Sequence, residues 1–148
     1  MSNIFSRELL VFDQLGVAID TAIRSTVEEN KFQLKEYNLE SLRDHGEKAD
    51  GEKLRPGYSS PYKRRRVKRG LQVSYVDLKF TGKFYGQIEI IAEPDQIKIS
   101  SKIDYGEHVI KRYGKEVLGI QEQYLEEFTF DILLPEIKQA FNDKFTRS

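Results

Sequence analysis

The apolar residues of this chain follow two different repeats, and the change between them limits the fold class. Between residues 4 and 30 they recur every third or fourth position, as on one face of a helix. Between residues 84 and 103 they recur every second position, as on one face of a strand. The helical repeat returns between residues 121 and 145. We therefore predict an α+β fold with a long N-terminal helix, an antiparallel sheet and a C-terminal helix packed on that sheet.

With 148 residues, the chain has about the length of one domain. We predict a single domain, residues 1–148, in four parts: a helical part (4–45), an extended loop (46–70), a sheet (71–103) and a C-terminal helical part (104–146). Proline at the second position of Glu93-Pro94-Asp95-Gln96 suits a tight turn and predicts a central hairpin. Residues 71–80 predict a third strand. Pro135 is expected to kink the last helix or to begin a new one.

The loop 46–70 contains a concentrated basic run. The chain has 24 basic and 24 acidic residues, so its formal net charge is zero. Six of the basic residues lie in this run, which leaves 18 basic against 24 acidic residues elsewhere. Such asymmetry favours a partner. The candidate contact residues, for a protein or for DNA, are Lys63, Arg64, Arg65, Arg66, Lys68 and Arg69. A merely solvated loop is the remaining alternative.

A segment near the C-terminus carries the opposite charge. Five acids and no base lie between Gln121 and Ile137. This segment is either a solvated helix face or the complement of the basic run. The candidate subunit-interface residues are Glu122, Glu126, Glu127 and Asp131.

The sequence offers little for catalysis. The absence of cysteine excludes disulfides, thiolate metal sites and a cysteine nucleophile. Asp104 and His108 are four residues apart but lack a third metal ligand. Pro94-Asp95 and Asp77–Lys79 resemble pieces of a metal-dependent nuclease motif, but in reverse order. We therefore predict no catalytic residues, no metal, no cofactor and no enzyme activity.

No apolar run approaches the roughly 20 residues that span a bilayer. The first residues also lack the charged-then-apolar layout of a signal peptide. We therefore expect a soluble protein without a membrane partner.

Four segments of the chain carry a resemblance through their order and spacing, and Thr81-Gly82 lies in the second of them. The segments are residues 42–62 (LRDHGEKADGEKLRPGYSSPY), 76–90 (VDLKFTGKFYGQIEI), 103–114 (IDYGEHVIKRYG) and 117–141 (VLGIQEQYLEEFTFDILLPEIKQAF). Taken in this order, they resemble parts of the tail-completion and neck proteins of tailed bacteriophages, namely the Mu-type virion-morphogenesis family and the related lambdoid tail-component family.

This resemblance implies a structural ring subunit that joins the head and tail of a virion without catalysis. Its implied partners are other copies of itself and neighbouring neck, connector or tail proteins. Its implied location is the neck or tail region of the virion, and the host cytoplasm during assembly. The basic run would contact either the acidic helix of a neighbour or, non-specifically, the packaged DNA. The alternative is a nucleic-acid-binding accessory protein that uses residues 63–69.

Overall fold

A computed structural model describes residues 4–93, 96–102 and 106–146, with side chains described from Gln14 to Phe145 within these ranges. Seven α-helices, two strands, two π-helical turns and one 3₁₀ turn make up the described part. In chain order these are α1 (Ile4–Glu29), α2 (Lys31–Glu40), a π turn (Ser41–His45), α3 (Ser60–Lys68), α4 (Lys83–Gly86), β1 (Ile88–Ala92), β2 (Ile97–Ser101), α5 (Gly106–Tyr113), a 3₁₀ turn (Lys115–Val117), α6 (Glu122–Phe128), a second π turn (Thr129–Leu133) and α7 (Leu134–Thr146).

The α+β fold class is confirmed, with a long N-terminal helix, a two-stranded antiparallel sheet and a C-terminal helical part. In the hairpin Ile90 pairs with Ile99, and the Glu93 N–H donates to the Gln96 carbonyl at 2.9 Å. Pro94 and Asp95 of the predicted turn lie outside the described residues, as do residues 103–105 at the start of the third resemblance segment.

Two clusters of buried side chains form the core, and α2 contributes to both. In the first, Leu42 packs with Phe84 and Val117. In the second, Phe128 of α6 packs with Ile90 of β1. The C-terminal helical part therefore packs on the sheet as predicted, while α7 lies against α1. Pro135 falls in the first turn of α7, directly after the second π turn, and the backbone is already helical before it, since Phe128 and Leu134 both have right-handed helical angles. Its nitrogen, which has no hydrogen to donate, therefore lies within a continuous helical backbone.

The prediction of an extended loop over residues 46–70 is wrong for residues 60–68, which form α3. Ser59 caps this helix, because its side chain accepts a hydrogen bond from the Tyr62 N–H at 3.4 Å. Pro61 in the first turn fits there, and Lys and Arg have good helix propensity. Arg66 is the buried residue of α3, so an apolar repeat is missing from this helix.

The predicted sheet is also too long. Residues 71–80 are not a third strand, since the described strands are β1 and β2 alone. The Gln72 side chain accepts from the Ser74 and Tyr75 N–H groups at 2.9 and 3.2 Å, which folds the backbone back on itself. Leu78 takes the left-handed region with φ 62°, which a strand excludes.

Candidate functional site

Helix α3 is attached to the rest of the chain through the buried side chain of Arg66. Its Nη2 lies 3.0 Å from Oδ1 and 3.2 Å from Oδ2 of Asp77. Its Nε donates to the Gln72 carbonyl at 2.8 Å, and its Nη1 donates to the Lys79 carbonyl. The guanidinium therefore finds acceptors for three of its nitrogens, which offsets the cost of removing its charge from water.

Asp77 collects donors from both sides of the network. Its Oδ1 accepts from the Tyr58 hydroxyl and from the Lys79 N–H, both at 2.9 Å. Its Oδ2 accepts from Gln72 Nε2 at 2.8 Å. The backbone of Asp77 takes part too, because its N–H donates to the Tyr58 oxygen and its carbonyl accepts from the Tyr85 hydroxyl. Asp77 thus serves as the shared acceptor that joins residues 58, 66, 72 and 85.

The two tyrosines of this network are held in their protonated form. Burial raises the pKa of Tyr58, and the negative charge of Asp77 raises it further. Burial likewise raises the pKa of Tyr85, again with a contribution from Asp77. The Arg66 guanidinium lies 4.4 Å from the centroid of the Tyr58 ring, a cation–π contact. Both hydroxyls therefore stay available as donors even at a pH of about 10, where an ordinary tyrosine loses its proton.

The network corrects one predicted contact residue. Arg66 is fully buried, so a partner or DNA cannot reach it. The other five residues of the run are exposed: Lys63, Arg64, Arg65, Lys68 and Arg69. None of them enters an ion pair with a described residue. We call these five side chains the cationic surface.

Phe80 supports part of this surface. The guanidinium carbon of Arg69 lies 4.3 Å from the centroid of the Phe80 ring, and that of Arg65 lies 5.6 Å from it. Both arginines therefore contact the same ring, which restrains their positions.

The predicted acidic residues are exposed as well. Glu122, Glu126 and Glu127 lie on α6, and Asp131 lies in the second π turn. In the described part of the chain, no ion pair joins any of them to a base. The structure therefore does not bring the two predicted charged sets together within one copy.

A pocket of about 760 Å³ opens beside the N-terminal half of α3. Its volume falls within the range typical of ligand-binding sites. Sequence reasoning missed it, although the signal lay in GYSSPY and LKFTGKF, two segments dense in aromatic and small residues. The pocket is lined by backbone and small groups at residues 56, 57, 59, 81 and 82, by Leu78 and Val109, by the rings of Tyr58, Tyr62, Phe80, Phe84 and Tyr113, and by Lys83 and Arg112.

Within the described ranges, no cluster of three or more His, Asp or Glu side chains is arranged to hold a metal ion. Asp104 lies outside the described residues, and His108 is exposed on α5. None of the helices that the structure describes combines the length and the apolar character needed to cross a bilayer.

Comparison of the chain with models of protein families, with curated proteins and with solved structures finds no match. We therefore infer function from the charge, exposure and shape of the cationic surface, the acidic residues and the pocket.

Proposed function

We propose that the chain is a non-enzymatic structural protein of a phage virion, a neck or tail-completion subunit that forms a ring between head and tail. The observation that carries this proposal is the separation of charge. Five exposed cations lie on and next to α3, four exposed acids lie on α6 and the following π turn, and the two sets are unpaired within one copy. In a ring every copy presents both sets, so each can meet the other across a heterologous contact.

The buried network links two of the segments on which the resemblance to phage proteins rests. Tyr58 lies in the first resemblance segment, and Asp77 and Tyr85 lie in the second. Asp77 pairs with Arg66, and the hydroxyls of Tyr58 and Tyr85 both donate to Asp77. Together these contacts fix the position of α3. A rigid contact element loses little conformational freedom when a partner binds, which favours assembly.

Charge alone cannot hold such a ring. Exposed ion pairs each contribute about 0–1 kcal/mol and mainly set register and association rate. Burial of apolar surface must supply most of the affinity. Phe130 and Val67 are large apolar side chains that the structure leaves exposed, the first among the acids and the second within α3.

The ring proposal is tested by the mass and shape of the purified protein. We expect concentration-dependent association, seen by sedimentation, and ring-shaped particles, seen by electron microscopy. The triple change Arg64→Glu, Arg65→Glu and Lys68→Glu should weaken association, since these side chains are exposed. Glu122→Lys, Glu126→Lys and Glu127→Lys in the same chain should restore part of it.

A matched control makes the same charge change elsewhere. Lys98, Lys111 and Lys138 are exposed and lie on β2, α5 and α7. Their reversal to Glu should leave association near the wild-type level. A chain that stays single at every concentration would overturn the ring proposal.

The alternative is a nucleic-acid-binding accessory protein, and the five unpaired cations favour it as a second candidate. Contacts from all five to duplex phosphates would give a slope of log affinity against log salt of up to about −4.5. A gel shift over a salt series measures that slope. Absence of binding at low salt would remove this candidate, and loss of binding in the Arg64, Arg65, Lys68 triple variant without rescue by the acidic reversal would favour it.

A further inference from the structure

We propose that Phe130 of one copy inserts into the aromatic pocket beside α3 of the next copy, and that this contact joins neighbouring copies. The inference rests on the proposed ring function and names the apolar contact that the charged surfaces leave open. It involves two different faces of the chain, the second π turn and the pocket, so each copy can give and receive the contact once.

Phe130 has the exposure expected of an interface anchor. Its side chain is 65% exposed, whereas Phe128, two residues earlier, is buried against the sheet. The π turn Thr129–Leu133 holds Phe130, and such turns are frequent at functional sites. Aromatic residues near the centre of an interface commonly carry most of the binding energy.

The pocket has walls that are already formed. Tyr58 and Tyr62 pack edge to face with ring centroids 5.1 Å apart, and Tyr62 and Phe80 lie 5.7 Å apart. Leu78, whose backbone takes a left-handed conformation, also lines the pocket. An inserted ring would meet faces and edges of other rings, which is the arrangement that aromatic groups prefer.

The charges around the two partners match. Lys83 and Arg112 line the pocket, and none of its lining residues is acidic. Around Phe130 the reverse holds, since Glu126, Glu127 and Asp131 are its exposed charged neighbours in sequence. Insertion of Phe130 therefore brings acids towards bases, and this complementarity selects a second copy over a neutral apolar partner.

A mixing experiment tests the contact. Phe130→Ala removes the inserted side chain, and Lys83→Glu with Arg112→Glu makes the pocket repel it. Each variant alone should associate about tenfold more weakly than wild type, or worse, because a central aromatic anchor is lost or opposed. Mixed in equal amounts, the two variants should form pairs that do not grow further, since only one intact contact is available.

Phe32→Ala is the matched control for the first variant. Phe32 is 78% exposed, at the start of α2, and is not part of the pocket. Its loss should leave association unchanged. All substituted side chains are exposed, so circular dichroism should show wild-type folding in every variant.

Cross-linking gives a second readout. The chain contains no cysteine, so introduced thiols react without background. Thr129→Cys, an exposed position that keeps its neighbour Phe130 intact, in one copy and Thr81→Cys at the pocket in another should form a disulfide between copies under mild oxidation. Thr129→Cys with Thr21→Cys, an exposed position on α1, should not.

Three results separate the outcomes. If wild type forms rings and Phe130→Ala associates equally well, this inference is wrong and the ring proposal stands. If wild type stays single and no cross-link forms at Thr81, both are wrong. A third outcome is that a single-stranded oligonucleotide quenches tyrosine fluorescence with equal affinity in wild type and Phe130→Ala, while the cross-link is absent. The pocket is then a base-stacking site, and this inference is overturned.

Discussion

Arg66 and Asp77 form an ion pair with 3.0 Å between Nη2 and Oδ1, and their side chains are only 1% and 5% exposed. Surface pairs such as Lys102 with Glu89 differ, because both partners there keep contact with water. Burial makes each charge of the Arg66–Asp77 pair depend on the other, since removal of one leaves the second without compensation.

We predict that Arg66→Ala destabilises the protein by about 3–5 kcal/mol, because Asp77 then keeps a buried charge without its partner. Urea unfolding measures the loss. Arg64→Ala, two residues away and exposed, is the control and should change stability by no more than about 0.5 kcal/mol. Equal stabilities for the two variants would contradict the structural role of Arg66.

The two buried charges should also be energetically coupled. We predict that Arg66→Ala and Asp77→Ala together cost less than the sum of the two single changes, with a coupling of about 0.5–3 kcal/mol, because the second change removes the charge orphaned by the first. A double-mutant cycle in urea measures this difference. Additive costs would mean that the two side chains stabilise the fold independently.

Alkaline pH should weaken the network through its tyrosines. The pKa of Tyr58 and that of Tyr85 are raised in the folded protein, chiefly by burial. The stability contributed by their protonated forms is therefore complete below the unfolded pKa of about 10 and is lost as the pH rises above it. Urea unfolding measured below and above a pH of about 10 should show a smaller loss of stability for Tyr58→Phe than for wild type. Parallel curves would refute this assignment.

Gly46 should not tolerate a side chain. It has φ 61°, and an added Cβ would lie 2.6 Å from Cδ2 and 2.9 Å from Cβ of Tyr75. Tyr75 cannot easily move aside, because its hydroxyl donates to the Arg43 carbonyl at 2.7 Å. We predict that Gly46→Ala costs about 1–3 kcal/mol, measured by thermal or urea unfolding. Gly51→Ala, also at positive φ but with open space around it, is the control for the backbone strain alone and should cost less.

The elements that the sequence predicted well are those whose side chains meet the core in a regular repeat. In the part of α1 whose side chains are described, the repeat gives half-buried Leu15, Ile19 and Ile23 and buried Val27. The alternation of Ile88 and Ile90 gives two buried side chains. Helix α3 was not predicted because its buried residue is an arginine, and a charged residue is normally expected to be exposed. The third strand predicted over residues 71–80 is absent. Val76 and Asp77 are adjacent and both buried, whereas neighbouring side chains of a strand point to opposite faces.

The candidate site divides in the same way. Exposure of nine of the ten predicted charged residues follows from ordinary hydration of Lys, Arg, Asp and Glu. The burial of Arg66 depends on Gln72 and Asp77, which approach it only after the chain turns back. The pocket likewise needs Tyr62 and Phe80 together, and a local repeat does not encode contacts across 18 residues.

The second π turn, Thr129–Leu133, joins α6 to α7 and sets the rotation of α7 about the helix axis relative to α6. It holds one residue more than an α-helical turn, and each residue of an α-helix advances the direction of the side chains by about 100°. Phe128 thereby faces the sheet, while α7 lies along α1. Deleting one residue from the turn would rotate all of α7 relative to α6, whereas substitutions there keep the angle. The packing of α6 and α7 should therefore depend on the number of residues in this turn more than on their types.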